Sequence, residues 1–381
     1  MSYNLLMLNF EFPPIGGGAA NAHYYLLKEY ANINELRIDV LTSAPKPGFV
    51  KEIFSENITI YKVGLHKKNL HYWRKTEVFE WLFKARLYYH KMLRRDSYDL
   101  IHAFFGFPAG WLCYKTAKRL PYIISLRGSD VPGYNIRLGL DYKLTAGLFR
   151  KIWSSAAMVV ANSNGLRNLA LEFMPSLDIA VIPNGIDTEK FHPSDEQKPR
   201  EPLRLLTVSR LIERKRVDIL LKAIRRAKEI SLDVNLYIAG EGNLGDSLRS
   251  LSRELGISDR VFFLGRVPAE KMPEIYRDND VFVMNSAHEG MSNAMLEAMA
   301  SGLPIITTDC EGVEELITNN GIVVRQSNAA SFADAFKTLV KNKKSYKQMS
   351  IASREEAQKL NWKSVARQYL DCYNKVLEIK V

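Results

Sequence analysis

Short apolar runs alternate with helix-patterned stretches along almost the whole chain, and this rhythm restricts the fold more than any other feature. Each run is too short for a helix and is bounded by turn residues, so it reads as a buried strand. In the first half such runs fall at 4–10, 36–41, 58–63, 99–103, 122–126, 158–161 and 179–182. In the second they fall at 203–209, 235–239, 261–264, 281–284, 304–307 and 322–324. Helical patterns fill most of the intervals. Strand–helix alternation of this kind predicts mainly parallel sheets, hence an α/β architecture.

A chain of 381 residues exceeds one ordinary core, so two domains are expected. The stretch HPSDEQKPREP, 192–202, is polar, proline-bearing and free of apolar periodicity, which makes it the best boundary. The expected division is 1–191, 192–360, and a last amphipathic helix in 361–381 that can pack back on the first domain. Ligands of open parallel sheets bind beyond the carboxyl ends of the strands. Two such domains facing across a cleft would therefore carry their polar residues just after strands.

Composition excludes several classes. The balance of 46% hydrophobic and 25% charged residues is that of a soluble globular protein. No run approaches the ~20 apolar residues that span a bilayer. The start, MSYNLLMLNFEFPP, lacks a basic leader and reads as a first strand rather than a signal peptide. Cys113, Cys310 and Cys372 are widely separated and in no metal-ligand spacing, so a reducing cytoplasm is the simplest setting. No HExxH-like pair is present, and no metal is expected.

The net charge of +11 is uneven, with an excess of eight positive charges in 1–190 and three in the remainder. Much of the excess lies in 67–96, where cations alternate with aromatic residues. Such a helix can lie at an anionic membrane surface, here through Lys67, Lys68, Arg74 and Lys75. The alternative is an ordinary helix with a solvated basic face. A nucleic-acid partner is not expected; an enzyme held at the inner face of the cytoplasmic membrane is.

The run EGMSNAMLEAMASGLP follows the apolar strand DVFVMN, 280–285. Ser292 or Asn293 can cap a helix that turns Met295, Leu296 and Met299 inward and stops at Gly302. Glu289 then precedes the helix start, and Glu297 lies a little over one turn inside it. Two carboxylates flanking a positive helix end suit a ligand with hydroxyls at both ends and an anion between them, such as a sugar nucleotide. Gly16, Gly17 and Gly18 open a helix after the first strand, where a ligand can approach the backbone. Their spacing is neither a dinucleotide fingerprint nor a Walker A loop. In LRLLTVSRLIERKRVDILLKAI, 203–224, Arg210 and Lys215 bracket a strand-to-helix turn and can neutralise a diphosphate.

GGG after the first strand, PNGID at 183–187, SRLIERK at 209–215, AGEG at 239–242, FFLGRVP at 262–268 and EGMSNAMLEAMASGLPII at 289–306 occur in this order. In that order they resemble the retaining glycosyltransferases of family 4, which have the GT-B fold of two Rossmann-like α/β domains facing across a cleft. SLRGSDVPGY, 125–134, looks like a segment of bacterial members. The resemblance implies that Arg210 and Lys215 bind the donor diphosphate and act in catalysis with Glu289. It places sugar hydroxyls on Glu289 with Gly290, Met291, Ser292 and Asn293, and ribose hydroxyls on Glu297. It sets Arg266 and Val267 beside the base, and Gly17 and Gly18 near the phosphates. It implies a nucleotide sugar as co-substrate, UDP-linked rather than GDP-linked, with no other cofactor and no metal. The acceptor would be a glycan or lipid-linked hydroxyl in cell-surface polysaccharide synthesis. Arg127 stands where many members have histidine, and a guanidinium cannot serve as a base at neutral pH. His102, Arg127 and Asp130 are the acceptor-side or phosphate candidates. Two alternatives stay open: a GT-B sugar-nucleotide 2-epimerase, and a sugar-nucleotide-binding protein without catalysis at a membrane surface.

Overall fold

The computed structural model describes residues 3–70, 72–135, 138–194, 199–287, 291–310 and 312–378. In chain order the first elements are β1 (Tyr3–Leu8), α1 (Gly18–Tyr30), β2 (Leu36–Ala44), β3 (Phe49–Ser55), β4 (Ile58–Gly64) and α2 (Lys75–Arg95). There follow β5 (Leu100–Phe104), α3 (Ala109–Tyr114), β6 (Tyr122–Ser125), α4 (Gly139–Ser154), β7 (Met158–Ala161), α5 (Asn164–Phe173) and β8 (Ile179–Val181). The second half begins β9 (Leu203–Val208), α6 (Val217–Glu229), β10 (Val234–Ala239), α7 (Gly245–Glu254), β11 (Val261–Gly265), α8 (Met272–Arg277) and β12 (Val281–Met284). It continues with α9 (Asn293–Ala300), β13 (Ile305–Thr308), α10 (Val313–Leu316), β14 (Gly321–Val324), α11 (Ala329–Lys341), α12 (Lys343–Lys359) and α13 (Trp362–Glu378).

The chain forms two compact units, one of residues 1–184 with 362–381, the other of 185–361. In the first, an eight-stranded sheet has the order β3-β4-β2-β1-β5-β6-β7-β8. Every pairing is parallel except the antiparallel β3–β4 edge. β1 is the middle of this sheet, and Leu5, Leu6, Met7 and Leu8 are all fully buried. A strand covered on both faces has no polar side to show, which is why its sequence is almost continuously apolar. Helix α13 completes this unit. Trp362 stacks on Tyr25 with ring centroids 5.3 Å apart, and Tyr373 places its hydroxyl 3.3 Å from that of Tyr30.

The second unit holds a six-stranded parallel sheet, β11-β10-β9-β12-β13-β14. Its first strand, β9, has later strands on both sides, so the connections reverse direction between β9 and β12. That reversal opens the crevice in which open α/β sheets hold ligands.

The division falls at Asn184/Gly185, before the expected boundary of 192–202. Ile186 and Phe191 are buried in the core that also holds Tyr276 and Phe282. The Arg354 guanidinium donates to the carbonyls of Thr188 and Phe191 at 3.1 and 2.9 Å. These contacts attach the segment to the second unit despite its sequence position. Strand β3 was not expected. It is an exposed edge, and its residues show no apolar alternation.

Of the four cations expected at the surface of the basic aromatic stretch, Lys67 is withdrawn from it and the other three are exposed. Lys67 is fully buried, 2.7 Å from the Glu77 carboxylate, with its Nζ 3.8 Å from the centre of the Trp73 ring. It cannot meet a lipid headgroup. Lys75 pairs with Asp141 at 2.8 Å. Lys68 is exposed, as is Arg74 at the N-terminal boundary of α2. Among the described residues, no helix is long and apolar enough to cross a membrane.

Candidate active site

In the second unit, β9 ends at Val208 and the chain runs through Arg210 into a 3-10 turn, Glu213–Lys215. Arg216 then adopts a left-handed conformation, φ 44°, and α6 begins. The loop after β10 clamps this segment. The Ser209 and Leu211 N–H groups donate to the Ala239 and Glu241 carbonyls at 3.0 and 2.9 Å. The clamp requires glycine: a Cβ on Gly240, φ +133°, would lie 1.9 Å from the Ser209 carbonyl oxygen, and one on Gly242 would lie 2.2 Å from that of Leu211. The AGEG motif thus fixes the backbone on either side of Arg210.

The same turn is tied to the next strand. The Ala287 N–H donates to the Arg214 carbonyl at 2.9 Å, and the Asn285 carboxamide donates to that of Arg216 at 3.1 Å. Asn285 is held in turn by the Ser327 hydroxyl at 2.7 Å. Arg210, Arg214 and Lys215 therefore gather at the sheet's crevice, beside the end of β12. Burial lowers the Lys215 ammonium to about 7, and the charges of Arg214 and Arg210 push in the same direction. A like-charged, partly buried cluster of this kind is costly by itself, and an anion relieves it.

Glu289 and Gly290 lie outside the described residues. Beyond them Met291 is buried, and Ser292 caps α9, its hydroxyl accepting from the Met295 N–H at 3.3 Å. Asn293 is the first helical residue. Met295, Leu296 and Met299 are buried, and the helix stops before Gly302, which takes φ +74°. The orphan N–H groups of the first turn and the helix dipole give this end a positive potential.

Glu297 is partly buried inside that helix, and the Tyr276 hydroxyl of α8 donates to its Oε2 at 2.8 Å. Burial pushes the carboxyl up to about 7, against the opposing pull of the Tyr276 hydrogen bond and the Lys190 charge. Arg266 is exposed and Val267 partly buried just after β11, with Val267 packed on the core that holds Tyr276. Tyr276 and Lys190 had no signature in the sequence, because both reach Glu297 from other elements. Arg214 was visible only as a neighbour of Lys215.

The first unit carries the other candidates. Gly16 takes φ +101°, and a Cβ there would lie 2.7 Å from the Glu11 side chain. Gly17 and Gly18 are exposed at the start of α1, so their backbone is approachable. His102 is fully buried mid-strand; Nδ1 lies 2.7 Å from the Tyr373 hydroxyl and Nε2 2.7 Å from that of Ser125. Burial, and after it the Arg127 charge, hold its ring neutral. Asp130 is also buried and accepts from the N–H groups of Gly106, Arg127 and Gly128 at 2.7, 2.9 and 3.0 Å. His102 and Asp130 are thus framework groups, occupied by their own unit. Arg127 remains partly exposed at the end of β6; its guanidinium lies over the Phe104 ring and donates to Asn184 Oδ1 at 2.9 Å and the Tyr369 hydroxyl at 3.3 Å.

Comparison with known proteins agrees with this arrangement. Residues 16–190 match the model for Glycosyltransferase Family 4, and residues 188–356 that for Glycosyl transferases group 1. An uncharacterised glycosyltransferase of Methanocaldococcus jannaschii is 25% identical over 98% of this chain and 99% of its own. A Bacillus subtilis protein described as a putative teichuronic acid biosynthesis glycosyltransferase is 28% identical over 64% of this chain, which spans 62% of that protein. Sucrose-phosphate synthase from Thermosynechococcus elongatus superposes with a TM-score of 0.82 at 20% identity, covering 99% of this chain and all of that one. Anabaena HepE, solved in complex with UDP-glucose, superposes with a TM-score of 0.73 at 18% identity over 98% and 100% of the two chains. The two family models together run from residue 16 to 356, across both Rossmann-like units, and the chain belongs to the group 1 glycosyltransferases of family 4, with their GT-B fold.

Proposed function

We propose that this protein moves a hexose-type sugar from a nucleotide diphosphate sugar, UDP-linked rather than GDP-linked, to a hydroxyl of a glycan or lipid-linked acceptor. The anomeric configuration is retained, and the product belongs to a cell-surface polysaccharide. One observation carries the reading: Arg210, Arg214 and Lys215 gather at the crevice between β9 and β12, beside the strand that leads to the capped start of α9. UDP-glucose in HepE, and the Bacillus relative's description as a putative teichuronic acid biosynthesis glycosyltransferase, support the choice of donor and product.

The chemistry follows from where charge develops. As the glycosidic bond to the diphosphate breaks, negative charge builds on the leaving oxygen. Preorganised cations at that point stabilise the transition state more than the ground state. Arg210 and Lys215 supply that charge, so no metal is required for it. Glu297 accepts from the ribose hydroxyls. Glu289, Gly290, Met291, Ser292 and Asn293 hold the sugar at the helix start, and Arg266 and Val267 border the base. Attack proceeds on the same face as departure, through an oxocarbenium-like ion pair, and the departing phosphate takes the acceptor proton. Arg127 serves the acceptor side as a fixed cation rather than as a base.

The test is turnover of a UDP-sugar panel with glycan and lipid-linked acceptors, with the product anomer read by NMR. Retention is expected, together with a loss on the order of a hundredfold or more in kcat for Arg210→Ala and Lys215→Ala. Isomerisation of the nucleotide sugar without any acceptor would instead identify an epimerase. Wild-type rates in both variants would remove the leaving-group role.

A further inference from the structure

Among the described residues, the large apolar side chains more than half exposed are, apart from Ile53, confined to two helices and the segment before one of them. On α2, Phe79, Phe83 and Leu87 are 59%, 72% and 63% exposed; at four-residue spacing they form one outward row. On α4, Leu140 and Leu144 repeat the pattern at 71% and 77%. Such a concentration marks an interaction surface.

The charge around the row has one sign. Arg86, Lys91 and Arg94 are exposed beside it and make no ion pair among the described residues. The two α2 glutamates point elsewhere: Glu77 is buried against Lys67, and Glu80 lies 2.6 Å from Lys84 and 3.1 Å from His66. On α4, Lys143 and Lys151 are exposed, and the Asp141 charge is met by Lys75 at 2.8 Å. That pair ties the start of α4 to the start of α2. Phe107 supplies a shared floor, with its ring 6.3 Å from that of Phe79 and 6.2 Å from that of Phe149.

We infer that the outward faces of α2 and α4 dock on an anionic lipid bilayer, with Phe79, Phe83, Leu140 and Leu144 entering the interfacial layer and Arg86 and Lys91 meeting the headgroups. A second copy of the chain is a poor occupant, because a symmetric contact would set these cations against themselves. An anionic surface pairs with every cation, and acyl chains accept separate apolar tips without shape complementarity. The docking face therefore lies along the two helices rather than at Lys67, whose charge is used inside the fold. This inference does not depend on the donor site, since vesicle binding requires no turnover.

Sedimentation of the purified chain with phosphatidylglycerol-containing vesicles tests it, with pure phosphatidylcholine vesicles as control. Binding to the anionic vesicles is expected, weaker at high salt because the Debye length falls to about 3 Å at 1 M. Arg86→Glu with Lys91→Glu should reduce partitioning at least on the order of 25-fold, about fivefold for each lost cation. Phe83→Ser with Leu144→Ser should reduce it about tenfold while leaving the melting temperature unchanged, since both side chains are exposed. A Phe83→Trp variant should be quenched by brominated acyl chains more than the wild type is. Failure of the wild type to bind anionic vesicles at low salt, or equal binding by the Ser variants, would overturn the inference. So would a dimer in light scattering that Phe83→Ser dissolves, which would make the face a contact between copies.

Discussion

Glu297 and Lys215 are both held near neutrality by the same physical cause, burial, acting on opposite charges. Their effects on ligand binding therefore run in opposite directions with pH. In the proposed ribose-binding role Glu297 accepts hydroxyls best when ionised, so uridine affinity should rise about tenfold between pH 6 and pH 8 if only the ionised form binds. Glu297→Gln should flatten that dependence, and Tyr276→Phe should move its midpoint upward by removing the hydrogen bond that favours the carboxylate. Lys215 binds anions only when protonated, so pyrophosphate affinity should fall as pH rises through 7. Lys215→Arg, which stays charged, should lose this component of the trend. Calorimetry on each fragment separates the two limbs. Stability carries the same sign logic. A carboxyl whose folded value is raised stabilises the fold below the ordinary glutamate range and loses that contribution as pH climbs toward 7. Glu297→Gln should accordingly raise the melting temperature at pH 8 and change it little at pH 4. The Ser292 cap and the inward methionines were legible in sequence because they follow helix periodicity and cap chemistry. The Tyr276 contact was not, since α8 meets α9 only through the fold. His102 looked available as a chemical group because a strand's sequence does not reveal which polar side chains find buried partners.

Glycine and buried charge decide how the elements are joined. Gly240→Ala would force the loop after β10 off the Ser209 carbonyl, at a cost of about 1–3 kcal/mol from strain and displacement. Denaturant unfolding should show the loss, and diphosphate affinity should fall with it because the same contact fixes Arg210. Lys67→Met should cost about 3–5 kcal/mol by leaving Glu77 buried without its partner. Arg86→Met, on the exposed face of α2, should stay within about 0.5 kcal/mol. Most strands were legible from apolar runs because they are covered on both faces; the edges β11 and β14 are only partly covered yet keep apolar sequence. Strand β3 escaped because its residues are exposed or half-exposed and its pairing with β4 is carried by the backbone. Lys67, one of the four expected surface cations, was misplaced for a related reason. Sequence shows where charge is written, but Lys67 spends its charge on Glu77 inside the fold.

Two Rossmann-like units were legible from strand–helix alternation, and the six ordered motifs carry the family resemblance in the sequence itself. The point of division was less legible. Polarity marks 192–202 as a linker, yet burial of Ile186 and Phe191 assigns the preceding segment to the second unit. Contacts distant in sequence, such as Arg354 on Thr188, determine that assignment and leave no local pattern. The first unit likewise draws α13 from the far end of the chain, through Tyr369 and Tyr373 beneath β5 and β6. The proposed function rests on the second unit's crevice, where the cations after β9 and the helix start after β12 would converge on one ligand. Calorimetric titration of UDP into the full chain, its Arg210→Ala variant and its Glu297→Ala variant examines that convergence directly. The wild type should bind, the Glu297→Ala variant should bind more weakly by about 1.5–3 kcal/mol, and the Arg210→Ala variant should lose a comparable amount. Undiminished UDP affinity in both folded variants, or no heat from UDP or any other nucleoside diphosphate in the wild type, would contradict a donor site at this crevice.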